Sequence, residues 1–293
     1  MPNLEKLKDV NPLVKPIQEQ AKHLYFRDDD WVDDDGLRHC AKCGGAKEAI
    51  FEVGEGFEPL RGAFACPCQQ AEIDKIEARR EAEERQYQVA RRRSIALRSK
   101  SLREARFDAD HNPTSKVSQF FRRYCDRWDE MLANGLGIRI TGGVGTGKSF
   151  YAACVCNEII DRGGTAYFVT IPEILEASQG FENTNLRWEI AQNITRAQLV
   201  VFDDVGAERA TSYASEKVYD AINDRLETGL PTIVTTNYSD KDLQTSADIQ
   251  ERRIFDRILQ MCQMPIALAG ESKRGVESRK RLELAMEIMR GEG

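Results

Sequence analysis

The sequence predicts an α/β protein built on a five-stranded parallel sheet flanked by helices, with a small separate module at its N-terminus. From about residue 107 onward, short β-branched runs alternate with amphipathic stretches, the signature of strands joined by crossover helices. The strand candidates are almost uniformly apolar rather than alternating, so helices are expected over both faces. The first 70 residues differ: they carry Pro2, Pro12, Pro16, Pro59 and Pro67, several glycines and two close cysteine pairs, a pattern of turns rather than long elements.

At 293 residues the chain is long enough for one domain of about 180–200 residues and a smaller unit. The expected division is an N-terminal module at 1–70, a basic helical linker at 71–107 and the α/β domain at 108–293. A hydrophobic share of 41% and a charged share of 31% exclude disorder throughout. No run reaches the roughly 18 apolar residues a membrane helix needs, and Met1 to Lys6 lacks the apolar core of a secretory signal. The expectation is a cytoplasmic protein with no membrane partner. The net charge of −6 conceals an asymmetry: residues 28–35 hold six Asp, whereas residues 85–106 hold eight basic side chains against Glu104 alone.

Taken in chain order, the first feature is the cysteines. Eight of them in a chain of this kind argue against disulfides, because a reducing compartment keeps thiols free. Cys40 and Cys43 form a C-x₂-C pair, and Cys66 and Cys68 a C-x-C pair, with 22 residues between the two pairs. Two thiolate pairs on tight turns, one followed by Gly44 and Gly45 and the other fixed by Pro67, can close a tetrahedron around Zn²⁺. Free thiols or an iron–sulfur cluster are the alternatives, and His39 is a substitute ligand. The six Asp around Trp31 do not have the spacing of a calcium loop and read as a solvated stretch or a docking surface.

From Gln69 to Arg106 there is no Gly or Pro, which predicts a long exposed helix or one broken near Ser94. Its basic part, Arg91, Arg92, Arg93, Arg98, Lys100, Arg103 and Arg106, can track a phosphate backbone or simply solvate a helix face. Aromatic partners for bases are limited to Tyr87 and Phe107 at its edges. Strands are expected at 137–141, 165–169, 199–203, 232–236 and 264–268.

The segment Gly142, Gly143, Val144, Gly145, Thr146, Gly147, Lys148, Ser149 fits G-x-x-x-x-G-K-[ST], after a strand and before a helix that should end at Gly163 and Gly164. Such a loop turns backbone N–H groups toward phosphates, with Thr146 as a backbone donor. Lys148 reaches the β and γ phosphates and the Ser149 hydroxyl ligates Mg²⁺. Phe150 follows as a further ATP-site residue. The strand ending in Asp203 and Asp204 supplies the second half: Asp203 for the metal shell and Asp204 to activate water, with Glu208 as a helper. ATP, Mg²⁺ and Zn²⁺ are therefore the expected cofactors.

Across roughly residues 110–275 these features resemble the AAA+ helicase loaders of the DnaC and DnaI type and their relatives, the IstB transposition ATPases. Residues 202–208 look like that group's Walker B with its trailing Gly-x-Glu, and 233–237 like its sensor 1 strand. Residues 253–257 look like its box VII, and 270–274 like its sensor 2. The resemblance implies an AAA+ ATPase in which Asn237 orients the attacking water, Arg253 or Arg257 acts on the ATP of a neighbouring subunit, and Arg274 contacts phosphate in its own. A turn or cap role for Asn237 and an ordinary solvated pair for the arginines are the alternatives. Many relatives carry Glu where this chain has Asp204, which implies slow hydrolysis. Partners implied are a replicative hexameric DNA helicase, single-stranded DNA, met near Arg209 and Tyr213, and further copies of the chain in an ATP-dependent homo-oligomer. The competing readings are an IstB-like transposition ATPase and a zinc-dependent adaptor with little turnover. Loaders frequently carry a cysteine-rich N-terminal module, and IstB proteins typically do not.

Overall fold

A computed structural model describes residues 21–52, 54, 59–179, 184–206, 212–245, 248–270, 272, 282–283 and 285–290. The chain divides into two compact units, Met1–Gln86 and Tyr87–Gly293.

In the first unit, β1 (Trp31–Val32) pairs antiparallel with β2 (Arg38–His39), and β3 (Glu48–Phe51) with β4 (Leu60–Ala63). So little apolar surface is buried that polar contacts set the shape. Lys47 and Asp30 form a fully buried ion pair at 2.6 Å, and the Arg27 N–H also donates to Asp30 at 2.7 Å. Burial raises the Asp30 pKa, but hydrogen bonding from Lys47 and Arg27 outweighs it and leaves a net lowering. Asp33 accepts from the Leu37 N–H and from His39. Two of the six expected solvated acids are thus structural, because this small unit lacks the core to shape itself otherwise.

The helix Pro67–Ala96 begins at the second cysteine pair, and the helix Lys100–Glu104, capped by Ser99, follows a break. The break falls three residues beyond Ser94, where Leu97 turns into the core of the second unit.

The second unit is a five-stranded parallel sheet in the order β6, β7, β8, β5, β9. These are β5 (Ile138–Gly142), β6 (Ala166–Thr170), β7 (Leu199–Val205), β8 (Thr232–Thr236) and β9 (Met264–Leu268). Period-two projection splits the strand residues between two cores. Ile138, Ile140, Phe168, Val201 and Ile233 pack on one side with Phe121, Tyr124, Trp128 and the helix Lys148–Asp161. Tyr167, Val169, Val200, Phe202 and Val234 pack on the other with Ile174, Val218, Ile222, Phe255 and Ile258. β9 departs from the two-sided expectation: Pro265 and Ala267 are exposed, and the proline is tolerated because β9 is an edge strand. Two crossovers also exceed one helix. Ile171–Ser178 and Thr184–Arg196 lie between β6 and β7, and Asp240–Thr245 and Ile249–Met261 between β8 and β9. A capping box at Thr170 and Glu173, with Pro172 in the first turn, starts a new helix directly from β6.

Arg225 is the largest fully buried side chain among the described residues. Its guanidinium donates to Thr232 Oγ1 and to the carbonyls of Ile194, Ala197, Gln198 and Pro231 at 2.6–3.1 Å. Burial pulls its pKa down to about 10, and its bonds lock the N-terminal ends of β7 and β8 to the preceding helices.

Candidate nucleotide site and metal centre

The loop after β5 turns through Gly147, whose φ of 102° is open to glycine and strained for other residues, and there caps the helix Lys148–Asp161. Gly142 cannot be larger either, since a Cβ would stand 2.3 Å from the Leu268 carbonyl of the neighbouring strand. Lys148, almost fully buried, donates to the carbonyls of Gly142 and Gly143 at 2.9 Å and to Asn237 Oδ1 at 2.7 Å. Asn237 Nδ2 in turn donates to Asp204 Oδ1 at 3.1 Å. The Thr146 hydroxyl closes the loop on the Gly143 carbonyl at 2.9 Å, a side-chain role beyond the backbone one expected of it.

A bulge at the end of β7 separates the two acids, and Asp204 adopts the left-handed conformation with φ 61°. Asp203 remains on the strand, where its carboxylate accepts from Ser149 Oγ at 2.9 Å and Thr235 Oγ1 at 2.6 Å. Thr235 Oγ1 also accepts from the Asp204 N–H at 2.8 Å. Burial raises the Asp203 pKa above the ordinary carboxylate value; the two hydroxyl bonds and Lys148 oppose this, and the nearby Asp204 adds to it. Ser149 and Asp203 therefore offer adjacent oxygens in a site short of positive charge, the donor set Mg²⁺ takes. Gly206 is required next to this corner, as a Cβ there would come 2.2 Å from the Tyr238 ring.

Lys148, Ser149, Asp203, Asp204 and Asn237 line one cavity of about 500 Å³, a volume suited to a nucleotide, together with Val144, Gly145, Gly147 and Phe150. Ala109, Asp110 and His111, which sequence reasoning did not single out, line it as well; Asp110 accepts from the Tyr151 hydroxyl at 2.8 Å. Thr235 was missed as well. Nothing in the run Thr232–Thr236 set its hydroxyl apart from those of Thr232 and Thr236.

In the first unit, Cys40, Cys43, Cys66 and Cys68 place their sulfurs within 4.8 Å of one another. Tetrahedral Zn–S bonds of about 2.3 Å require sulfurs about 3.8 Å apart. The Cys66–Cys68 and Cys40–Cys68 separations of 3.4 and 3.6 Å fall just short of that spacing. The backbone N–H groups of Gly45 and Cys68 hold the Cys43 pKa down to about 6, while hydrogen bonding to Cys66 and burial push Cys68 up to about 12. Thiols this crowded cannot all ionise without a cation among them. His39 is no substitute ligand here: it bonds Asp33 at 2.7 Å and stacks on Trp31.

The profile of the family described as IstB-like ATP binding protein matches residues 75–281, well over half of the chain. The chain belongs to this family. Among its curated relatives is the replicative helicase loader DnaI of Bacillus subtilis, 26% identical over 169 residues, or 54% of this chain and 52% of the relative. An ATP-binding protein in an insertion sequence of Mycobacterium tuberculosis is 27% identical over 162 residues, or 52% of this chain and 63% of the relative. The chain thus spans roughly half to two-thirds of the relatives it matches. A crystal structure of DnaI shares the fold, with a TM-score of 0.50 at 21% identity over 62% of this chain and 99% of that one.

In this IstB-like chain the remaining described site candidates do not line the cavity. Arg253 and Arg257 share one face of the helix Ile249–Met261, both against the Tyr219 ring. Arg274, Glu208 and Arg209 lie outside the described residues. Tyr213 is exposed and donates to the Ser178 carbonyl at 2.6 Å. Much of the basic segment is engaged internally: Arg93 bonds Asn157 and Asp161, Arg98 pairs with Glu173, Arg103 caps the carbonyls of Leu97 and Arg98, and Arg106 pairs with Asp161. Phe107 is buried beneath Arg122 and offers no stacking face to a base. Among the described residues no helix is long and apolar enough to cross a membrane.

Proposed function

We propose that this chain is a cytoplasmic ATP-dependent loader of a replicative hexameric DNA helicase onto single-stranded DNA, working as a homo-oligomeric ATPase switch. The observation that supports the reading is the hydrogen-bonded path from Lys148 through Asn237 to Asp204, which joins the glycine loop to the acid we assign to water activation. In this reading Ser149 and Asp203 hold Mg²⁺, which supplies charge neutralisation at the phosphates. Lys148 exchanges its loop carbonyls for phosphate oxygens, and that exchange frees Asn237 Oδ1 to orient water beside Asp204. Arg253 or Arg257 of a neighbouring subunit completes the site, so turnover waits for assembly.

The four cysteines hold Zn²⁺ in the N-terminal unit, which we assign to helicase docking. A second reading, an ATPase of transposition, is favoured by the Mycobacterium tuberculosis relative; the four-thiol cluster weighs toward the loader. The experiment is helicase loading onto circular single-stranded DNA with a cognate hexameric helicase. Loading that requires this chain and ATP supports the proposal, and a helicase indifferent to the chain contradicts it.

A further inference from the structure

The helices Ser212–Glu227 and Ile249–Met261 pack together, and on their outer seam two arginines meet one aromatic ring. Arg253 Cζ lies 4.2 Å from the centroid of the Tyr219 ring, within cation–π range, and Arg257 Cζ lies at 6.0 Å. Arg257 also donates to the Tyr219 hydroxyl at 3.5 Å and to Asn223 Oδ1 at 3.3 Å, one turn further along the same helix face. The two guanidiniums hold the phenol pKa below its ordinary value, through hydrogen bonding from Arg253 first and Arg257 next.

Neither arginine lines the cavity that holds Lys148, Ser149 and Asp203. Arg253 is exposed, and such a side chain ordinarily spreads over many rotamers, an entropy it must lose on docking. An aromatic face restricts that spread without neutralising the charge. A carboxylate would restrict it equally while cancelling the charge a phosphate needs. Arg257 does have such a partner in Asp256, at 3.4 Å; Arg253 has none among the described residues.

We propose that Tyr219 is the positioning residue of this arginine pair, its ring a platform that preorganises the guanidiniums for the triphosphate of a neighbouring subunit. The proposal rests on the inter-subunit reading given above. Preorganised charge at a transferring phosphoryl group acts on the chemical step rather than on nucleotide binding. Tyr219→Leu should therefore lower the stimulated kcat about tenfold, with KM for ATP changed less than about twofold. Tyr219→Phe, which keeps the ring, should stay near wild type. Tyr219→Gln serves the same comparison if the leucine variant aggregates.

Mixing separates this role from a structural one. In a 1:1 mixture of full-length Tyr219→Leu and Asp204→Asn, about one quarter of randomly formed interfaces pair an intact site with an intact platform, and turnover should rise to about that fraction of wild type. A Leu variant at wild-type kcat, a Phe variant as impaired as Leu, or a mixture no faster than the mean of its components overturns the platform. Arg253→Ala and Arg257→Ala locate any failure. If neither lowers stimulated turnover, the inter-subunit reading itself falls; if either does and Tyr219→Leu does not, only the platform falls.

Discussion

Asp203→Asn should stabilise the nucleotide-free protein while abolishing its Mg²⁺-dependent response. The carboxylate is almost fully buried and receives two hydroxyl donors, from Thr235 and Ser149, about half of what an ionised carboxylate can accept. Burial dominates, so its folded-state pKa lies above the ordinary value of 3.8. A raised carboxyl pKa means that the folded state binds the proton more tightly than the unfolded chain. Stability from this group is full below pH 3.8 and is lost as pH rises through the folded value, which leaves a penalty at neutral pH. Incomplete satisfaction of a buried charge costs on the order of 2 kcal/mol. Asparagine keeps the shape and an acceptor for Thr235 and removes the charge. For a unit of this size each kcal/mol moves Tm by about 2–4 °C, so the variant should melt about 4–8 °C higher.

Calorimetry with and without Mg²⁺·ATP is the assay. The variant's advantage should appear at pH 7 without nucleotide and shrink as pH falls, as the wild-type carboxyl takes up its proton. Addition of Mg²⁺·ATP should raise the wild-type Tm well above its increment in the variant. A variant that melts at or below wild type at pH 7, or that gains as much from Mg²⁺·ATP, refutes the reasoning.

Two further outcomes concern the rest of the molecule. Purified wild type should contain about one zinc per chain, measured by atomic emission, and Cys66→Ser should lose it along with protease resistance of the first unit; wild type without metal would sink the assignment. Arg225→Met takes a donor from the carbonyls of Ile194, Ala197 and Gln198, leaves Pro231 only the Val200 N–H, and should lower the urea midpoint by the equivalent of about 3–5 kcal/mol, an unchanged midpoint being the contrary result.

The sheet was legible because its strands are short apolar runs buried on both faces, and all five lie within two residues of the expected boundaries. The exception is β9, whose Pro265 suits an edge strand, although edge position alone does not explain its alternation, since β6 at the other edge is buried on both faces. The glycine loop and Asp203 were legible because phosphate and metal chemistry restrict which residue types serve. The bulge that separates Asp203 from Asp204 was not, since it arises from pairing with β8 rather than from either acid. Nor was the use made of the arginines at 92–106. Composition counts their charges, but whether Asp161 or Glu173 lies opposite is decided by the packing of helices far apart in the chain.

The central claim is tested most directly by helicase loading onto circular single-stranded DNA, with wild type and Lys148→Ala compared at equal concentration in ATP. The account predicts strand unwinding with wild type and at most the helicase-alone level with Lys148→Ala. Equal unwinding with both proteins would contradict it.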